Sequence, residues 1–220
     1  MEKGIDISYH QGAIDFAKVK NAGIDFVVMR SSYRKTTDTR FFENVKKCKA
    51  VNLPIKGVYH FIYALSETQA LAEAQYCVSQ VKRAGLGKDI YIFADFEYDT
   101  VLKAKKAGVA LTKTECNKFT EIFCTYVKSQ GYKPGIYTNI DYYENWYSKS
   151  LFSKYPVWLA DYDGGPDFAC VMQQFTSSGR VAGISGKVDM NHWYGESIGD
   201  IKVRSRQAVV DLICSWEGLN

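Results

Sequence analysis

The sequence is poor in the residues that break or staple a chain, and its charge is nearly balanced. With 4 prolines in 220 residues and 46% apolar side chains, a disordered or proline-rich chain is ruled out. Lys and Arg number 28 against 24 Asp and Glu, leaving +4 without a basic cluster. Backbone neutralisation of nucleic acid needs cations gathered on one face, so no nucleic-acid partner is expected. The small positive balance mildly favours an anionic surface such as a cell wall. No apolar run reaches the roughly 18 to 20 residues of a membrane helix. The longest, 26–29 and 58–65, are short, and His60 interrupts the second. The opening MEKGIDIS lacks the apolar run of about 7 to 15 residues of a secretory signal, so none is expected in this chain. Six cysteines (48, 77, 116, 124, 170, 214) form no C-x-x-C and read as buried free thiols rather than a disulfide scaffold or zinc site. The three histidines, His10, His60 and His192, stand outside any G-x-S-x-G or C-x-x-C context, which argues against a Ser or Cys nucleophile with a His base. His60 reads as a rim or core residue.

Aromatic residues, by contrast, make up 15% of the chain, with 16 Tyr, 12 Phe and 4 Trp. Such a composition suits either a surface that meets sugar rings or a tyrosine-rich core. Short β-rich runs recur at 4–8, 25–32, 55–62, 90–97, 135–139, 157–161, 171–176 and 186–190, a barrel-like count of eight. Between them, helical periodicity is clear at 67–84 and 113–128, the second with Thr112 as a cap and Gly131 as a stop. Strand, helix, strand implies parallel pairing. Near the end, however, Gln174 follows Asp161 by 13 residues and Asp189 follows Gln174 by 15, too few for full helical crossovers. The expected fold is therefore an α/β, truncated TIM-like barrel of eight strands and about five helices, whose closing strands lack full helices or run partly antiparallel. Its length, below the roughly 250 residues typical of the full barrel, agrees. One main domain is expected over 1–194. Residues 195–220 read as a linker with a short helix (Ala208, Val209, Leu212, Ile213 and Trp216 on one face), either docked on the barrel or leading into a second module.

In a parallel barrel the C-terminal strand ends form the functional rim. Here that rim is acidic: Asp6 on the first strand, Asp95 and Glu97 in FADFE on the fourth, Asp161 on the sixth, Asp189 on the eighth. Asp95 and Glu97, two apart on a strand, face the same way with Cα atoms about 6.6 Å apart. Partial desolvation and mutual repulsion raise the pKa of one, which can then serve as a general acid near neutral pH. Tyr59, Phe61, Tyr63, Tyr137 and Trp158 on neighbouring strands complete the composition of a glycan-cleaving cleft. Clustered carboxylates also bind magnesium or calcium. With no phosphate-cradling glycine motif and no EF-hand loop, neither a metal nor another cofactor is expected.

These motifs, taken in order, resemble a known family. GIDISYHQGAIDFAKVKNAGIDFVVMRSSY, GVYHF, ADFE, GIYTN, WLADY and GISGKVDMN, together spanning about residues 4 to 194, are similar to glycoside hydrolase family 25, the N-acetylmuramidases of phages and bacteria. The resemblance implies hydrolysis of the β-1,4 bond between N-acetylmuramic acid and N-acetylglucosamine, with peptidoglycan strands as partner. It implies Glu97 as general acid/base, Asp95 as its partner, and Asp6 and Asp189 as further acids of the site. Tyr63, Tyr137 and Asp161 would contact sugar, with Tyr59, Trp158 and Gln174 among the lining. The usual Trp-Gln of the seventh strand is replaced by Met172-Gln173-Gln174, leaving open which glutamine lines the site. A monomer is implied, acting at the bacterial wall after secretion or release by a holin-like route.

Same-strand acids suit opposite-face nucleophilic attack poorly. The substrate's 2-acetamido oxygen can instead attack the anomeric carbon, with Asp95 orienting it and Glu97 protonating the leaving oxygen. The inverting alternative has Asp6 or Asp189 activating water. A family 18 chitinase-like D-x-x-D-x-D-x-E would need Asp at 90 and 93, where Ile90 and Phe93 stand. A barrel that binds wall glycan without cutting it is the non-enzyme alternative, and both acids of the D-x-E pair are present.

Overall fold

A computed structural model describes residues 1–195. The proposed tail helix at 208–216 and Cys214 lie outside the described residues. Eight strands close a barrel: β1 (Glu2–Ile7), β2 (Phe26–Tyr33), β4 (Ile55–Phe61), β5 (Tyr91–Asp95), β6 (Lys133–Asn139), β7 (Val157–Ala160), β8 (Met172–Gly179) and β9 (Val188–Trp193). A two-residue strand, β3 (Thr36–Thr37), hangs on the edge of β2. Within the barrel all neighbours from β1 through β8 pair in parallel, while β9 runs antiparallel to both β8 and β1, and β3 is antiparallel to β2. The short connections near the chain's end thus have the expected consequence.

Among the described residues, the strands are wrapped by α1 (Phe16–Asn21), α2 (Phe41–Ala50), α3 (Glu67–Arg83), α4 (Tyr98–Lys106), α5 (Lys113–Ser129) and α6 (Lys149–Phe152), with a π-helical turn at Tyr142–Trp146. The expectation of about five helices is therefore low. Thr138 follows Asp95 by 43 residues, and that stretch holds two helices, α4 and α5, while α6 is a single turn too short to show a period. The two helices read from periodicity stand within a residue of their expected ends. Ser66 caps α3 by accepting from the Gln69 amide, and Thr112 and Glu115 form a reciprocal capping box on α5. No helix among the described residues is long and apolar enough to cross a membrane.

Strand alternation divides the interior in two. Ile5, Ile7, Val27, Met29, Val58, Ile92, Ala94, Ile136 and Leu159 point outward into one layer with the helices. The opposite parity fills the lumen with Phe26, Val28, Tyr91, Phe93, Trp158 and Met172, and Tyr59, Tyr137 and Trp193 pack against them. Rings of this size fit because facing strands carry glycine. A Cβ on Gly4 would lie 2.3 Å from the Phe26 ring, and one on Gly135 2.5 Å from Phe93. The aromatic richness of the sequence is thus largely lumen filling. Above that packed floor the top of the lumen is open. The five cysteines among the described residues, Cys48, Cys77, Cys116, Cys124 and Cys170, are buried free thiols.

Candidate active site

The lumen parity that carries aromatics at the bottom carries polar groups at the top. There a cavity of about 360 Å³ is lined by Asp6, Arg30, Tyr59, Asp95, Glu97, Tyr137, Trp158, Gln174 and Asp189, with Ser8, His10, Gln11, Phe61 and Tyr162 at its mouth. All four acids named from sequence as catalytic candidates meet in this one cavity. Strand β5 ends at Asp95, two residues short of the expected 97. Glu97 is instead the N-cap of α4, but its backbone is still extended (φ −133°, ψ 178°), so it keeps the parity of Asp95 while Phe96 turns into the core. Asp189 reaches the same rim from the beginning of its strand, because β9 is antiparallel, and pairs in register with Asp6.

Burial and crowding raise the pKa of every one of these carboxyls. Burial is the main cause at Asp6, pushed up to about 7, with Asp189 and more distantly Glu97 adding repulsion and hydrogen bonds from Asn191 and Gln174 opposing it. Glu97 also rises to about 7, first through burial, then through the charges of Asp99 and Asp189, against a Tyr137 hydrogen bond. Asp95 is also raised well above its ordinary value, first by burial and then by the charge of Glu97, and the Arg30 guanidinium pulls the other way. Asp189 is raised by burial. A site holding protons near neutral pH is equipped for acid catalysis.

A hydrogen-bond chain orients the far wall. Asp6 Oδ2 accepts from Gln174 Nε2 at 3.0 Å and from Asn191 Nδ2 at 2.8 Å, and Asn191 Oδ1 accepts from the Trp158 indole at 2.8 Å. Tyr137 and Tyr162 hydroxyls both donate to Gln174 Oε1, at 3.1 and 2.8 Å. The glutamine ambiguity resolves by parity. Met172 faces the lumen, so Gln174 does too, whereas Gln173 points out and donates to the Asp161 and Gly164 carbonyls at 2.7 and 2.8 Å.

Two of the residues read from sequence as sugar contacts lie outside the cavity wall. Trp158 faces the lumen, so Asp161, three residues on and past the end of β7, turns away. Its buried carboxylate accepts from the Asp163 and Asp167 amides at 3.3 and 3.0 Å and folds the loop that follows. Tyr63 sits beyond the end of β4, its hydroxyl donating to Asp99 and accepting from Lys103 at 2.6 Å, on the outer shoulder of the cleft. The sequence reading overlooked Arg30, the one Lys or Arg among the described lining residues. Period-2 alternation from Phe26 and Val28 would have placed it in the lumen, had the facing of that strand been anchored. Among the described residues no group of three or more His, Cys, Asp or Glu side chains is arranged to hold a metal ion.

Fold and rim together define an α/β barrel whose open end is an acid-lined, aromatic-walled cleft. Residues 5–184 match the model of glycosyl hydrolases family 25, and the chain belongs to that family. It is 29% identical over 198 residues to the autolytic lysozyme of Clostridium acetobutylicum, covering 87% of this chain and 55% of that one. Lysozyme M1 of Streptomyces globisporus is 26% identical over 212 residues, covering 89% and 68%. The modular autolysin LytC of Streptococcus pneumoniae, solved with a synthetic peptidoglycan ligand, superposes with a TM-score of 0.77 at 26% identity, covering 88% of this chain and 46% of that one. The chain thus spans about half the length of the first curated relative.

Proposed function

We propose that the protein is a lysozyme that cuts the β-1,4 bond between N-acetylmuramic acid and N-acetylglucosamine in bacterial peptidoglycan, acting at the cell wall. The observation that carries this reading is the Asp95 and Glu97 pair, side by side on one lumen-facing stretch, with Glu97 able to hold a proton up to about 7. Glu97 protonates the glycosidic oxygen and later draws a proton from water. Asp95 orients the 2-acetamido group, whose carbonyl oxygen attacks the anomeric carbon and forms an oxazolinium ion. Asp6 and Asp189, facing each other across β1 and β9, support the charge that develops. Tyr59, Tyr137, Trp158 and Gln174 bound the sugar-binding surface, and Tyr63 extends it along the cleft's shoulder. Residues 1–194 form the hydrolytic unit in this reading.

The test is loss of turbidity of purified walls followed by mass analysis of the new reducing ends. Reducing muramic acid is expected; reducing glucosamine assigns the other bond, and binding without cleavage assigns a wall-binding barrel. The reaction path is read separately by NMR of the first-formed anomer and by rates on N-deacetylated walls. Substrate assistance gives retention and a loss chiefly in kcat on deacetylated glycan. Inversion moves the general base to Asp6 or Asp189.

A further inference from the structure

Asp95 and Glu97 divide one task only if one is a carboxylate while the other keeps a proton, and burial by itself would leave the proton on the more buried of them. Asp95 is the more buried of the two, and its Oδ1 has no hydrogen-bond partner. In the same cavity Arg30 presents a second buried orphan, its Nη2. An orphan acceptor and an orphan donor in one cavity are complementary, and leaving either unpaired is costly. Arg30 is also held in place as a built part of the site. Its Nε donates to Asp38 Oδ2 at 2.9 Å, and Asp38, itself buried, accepts from the Tyr9 and Arg40 amides at 3.0 and 2.9 Å. The guanidinium lies 4.9 Å from the Tyr9 ring centre and 5.5 Å from that of Tyr33. Clamped through Nε on one side, it keeps Nη2 without a partner beside the lumen.

We propose that Arg30 is a positioning residue: its guanidinium, anchored by Asp38, pairs through Nη2 with Asp95 Oδ1 in the loaded cleft and so fixes Asp95 as the carboxylate and Glu97 as the proton carrier. This deepens the reading of Glu97 as acid and Asp95 as orienting base, and rests on it. The groups facing Asp95 are Glu97 on its own stretch, Arg30 from β2, Asp6 from β1, and the Tyr59 and Tyr137 hydroxyls from the flanking strands. Of these, Arg30 alone brings positive charge. Burial, Glu97 and Asp6 all press Asp95 to keep its proton, and removing the arginine leaves nothing charged to oppose them.

The experiment is the pH profile of wall hydrolysis, kcat and KM separately, for the full chain and its Arg30→Met and Arg30→Lys variants, with folding checked by Tm. Arg30→Met moves the acidic limb of kcat upward by about one pH unit or more, a roughly tenfold loss on that limb, while KM changes little. The alkaline limb, set by Glu97, stays in place. Arg30→Lys, which keeps the charge, restores most of the acidic limb. An acidic limb that does not move in Arg30→Met, with loss uniform across pH or confined to KM, overturns the proposal and leaves Arg30 a binding or supporting residue. Should Arg30→Met not fold, Arg30→Gln keeps a donor for Asp38, lacks the charge, and carries the same expectation. Independently of any Arg30 variant, side-chain carboxyl 13C titration of the wild-type protein with a soluble GlcNAc–MurNAc oligosaccharide must show Asp95 losing its proton below Glu97, and the reverse order overturns the proposal. A wild-type chain that cuts no wall glycan at all refutes the lysozyme reading instead, and the titration still reads which of Asp95 and Glu97 loses its proton first.

Discussion

Glu97 stands at the N-cap position of a helix, where a carboxylate is ordinarily stabilised, but its side chain makes no capping hydrogen bond, and burial and neighbouring acids drive its pKa up to about 7. The electrostatics of the cleft override the helix end. Glu97→Gln keeps the shape and removes the proton, so wall hydrolysis should fall about 10²–10⁴-fold with Tm nearly unchanged, measured by reducing-end release and thermal melting. In the wild type, kcat/KM should fall as pH rises through about 7, where Glu97 deprotonates. Asp6 carries the complementary stability effect. Unfolded, it releases its proton near pH 4, whereas folded it holds it to about 7, so the native state binds more protons between those values and stability falls as pH rises across them. Asp6→Asn removes that loss: its Tm should exceed wild type at pH 8 and match it more closely at pH 4, while activity declines.

Among the elements, α3 and β4 are joined by a buried polar latch. His60 on β4 shares a hydrogen bond at Nδ1 with Ser32 Oγ (2.8 Å) and at Nε2 with Glu73 Oε2 on α3 (2.9 Å), while its ring stacks on Phe123 of α5. The same Glu73 oxygen accepts from the Tyr63 amide at 3.1 Å, so this pair fixes the path of the chain as it leaves β4 toward the rim. Burial opposes charge on His60, but the Cys77 sulfur and the Glu73 carboxylate outweigh it and push the imidazole up to about 9. A raised base contributes stability that is full below about 6.5 and lost as pH rises through 9. Glu73→Ala should cost about 3–5 kcal/mol in urea unfolding and weaken that dependence between pH 6.5 and 9, the Cys77 contribution remaining. Inside the barrel, β5 and β6 depend on the fit of Phe93 against Gly135. Phe93 is fully buried and cannot yield, so Gly135→Ala should destabilise by about 1–3 kcal/mol, a Tm drop of roughly 2–4 °C per kcal/mol, seen by calorimetry.

For the molecule as a whole, closure is decided by β1. It pairs with β2 on one side and with β9 on the other, so the hydrogen-bonded ring is complete by Trp193. If residues 1–194 are the hydrolytic unit, a chain ending at 195 should melt within a few degrees of the full chain and cleave soluble glycan at a similar rate. A large fall in Tm would instead place the apolar side chains of 208–216 against the barrel, since burying each contributes roughly 1.5–3 kcal/mol. Thermal denaturation of the two chains decides it.

The sequence by itself determined the barrel class, the long capped helices, and the acids that meet in the cleft. Those features are written locally, in periods of two and 3.6, in Thr112 and Gly131 at the ends of α5, and in connection lengths too short for a helix near the chain's end. What only the tertiary structure decided is which way each strand faces and what surrounds each carboxyl. Facing is a shared property of neighbouring strands, and a shift of one residue inverts it. Hence Asp161, legible as a strand-end acid, turned out to fold a loop, Gln174 rather than Gln173 entered the cavity, and Arg30 passed unnoticed on a strand of apolar and small residues. Proton affinity is decided in the same way: Asp6 and Asp189 lie 183 residues apart in sequence and become neighbours only when β9 closes the barrel on β1.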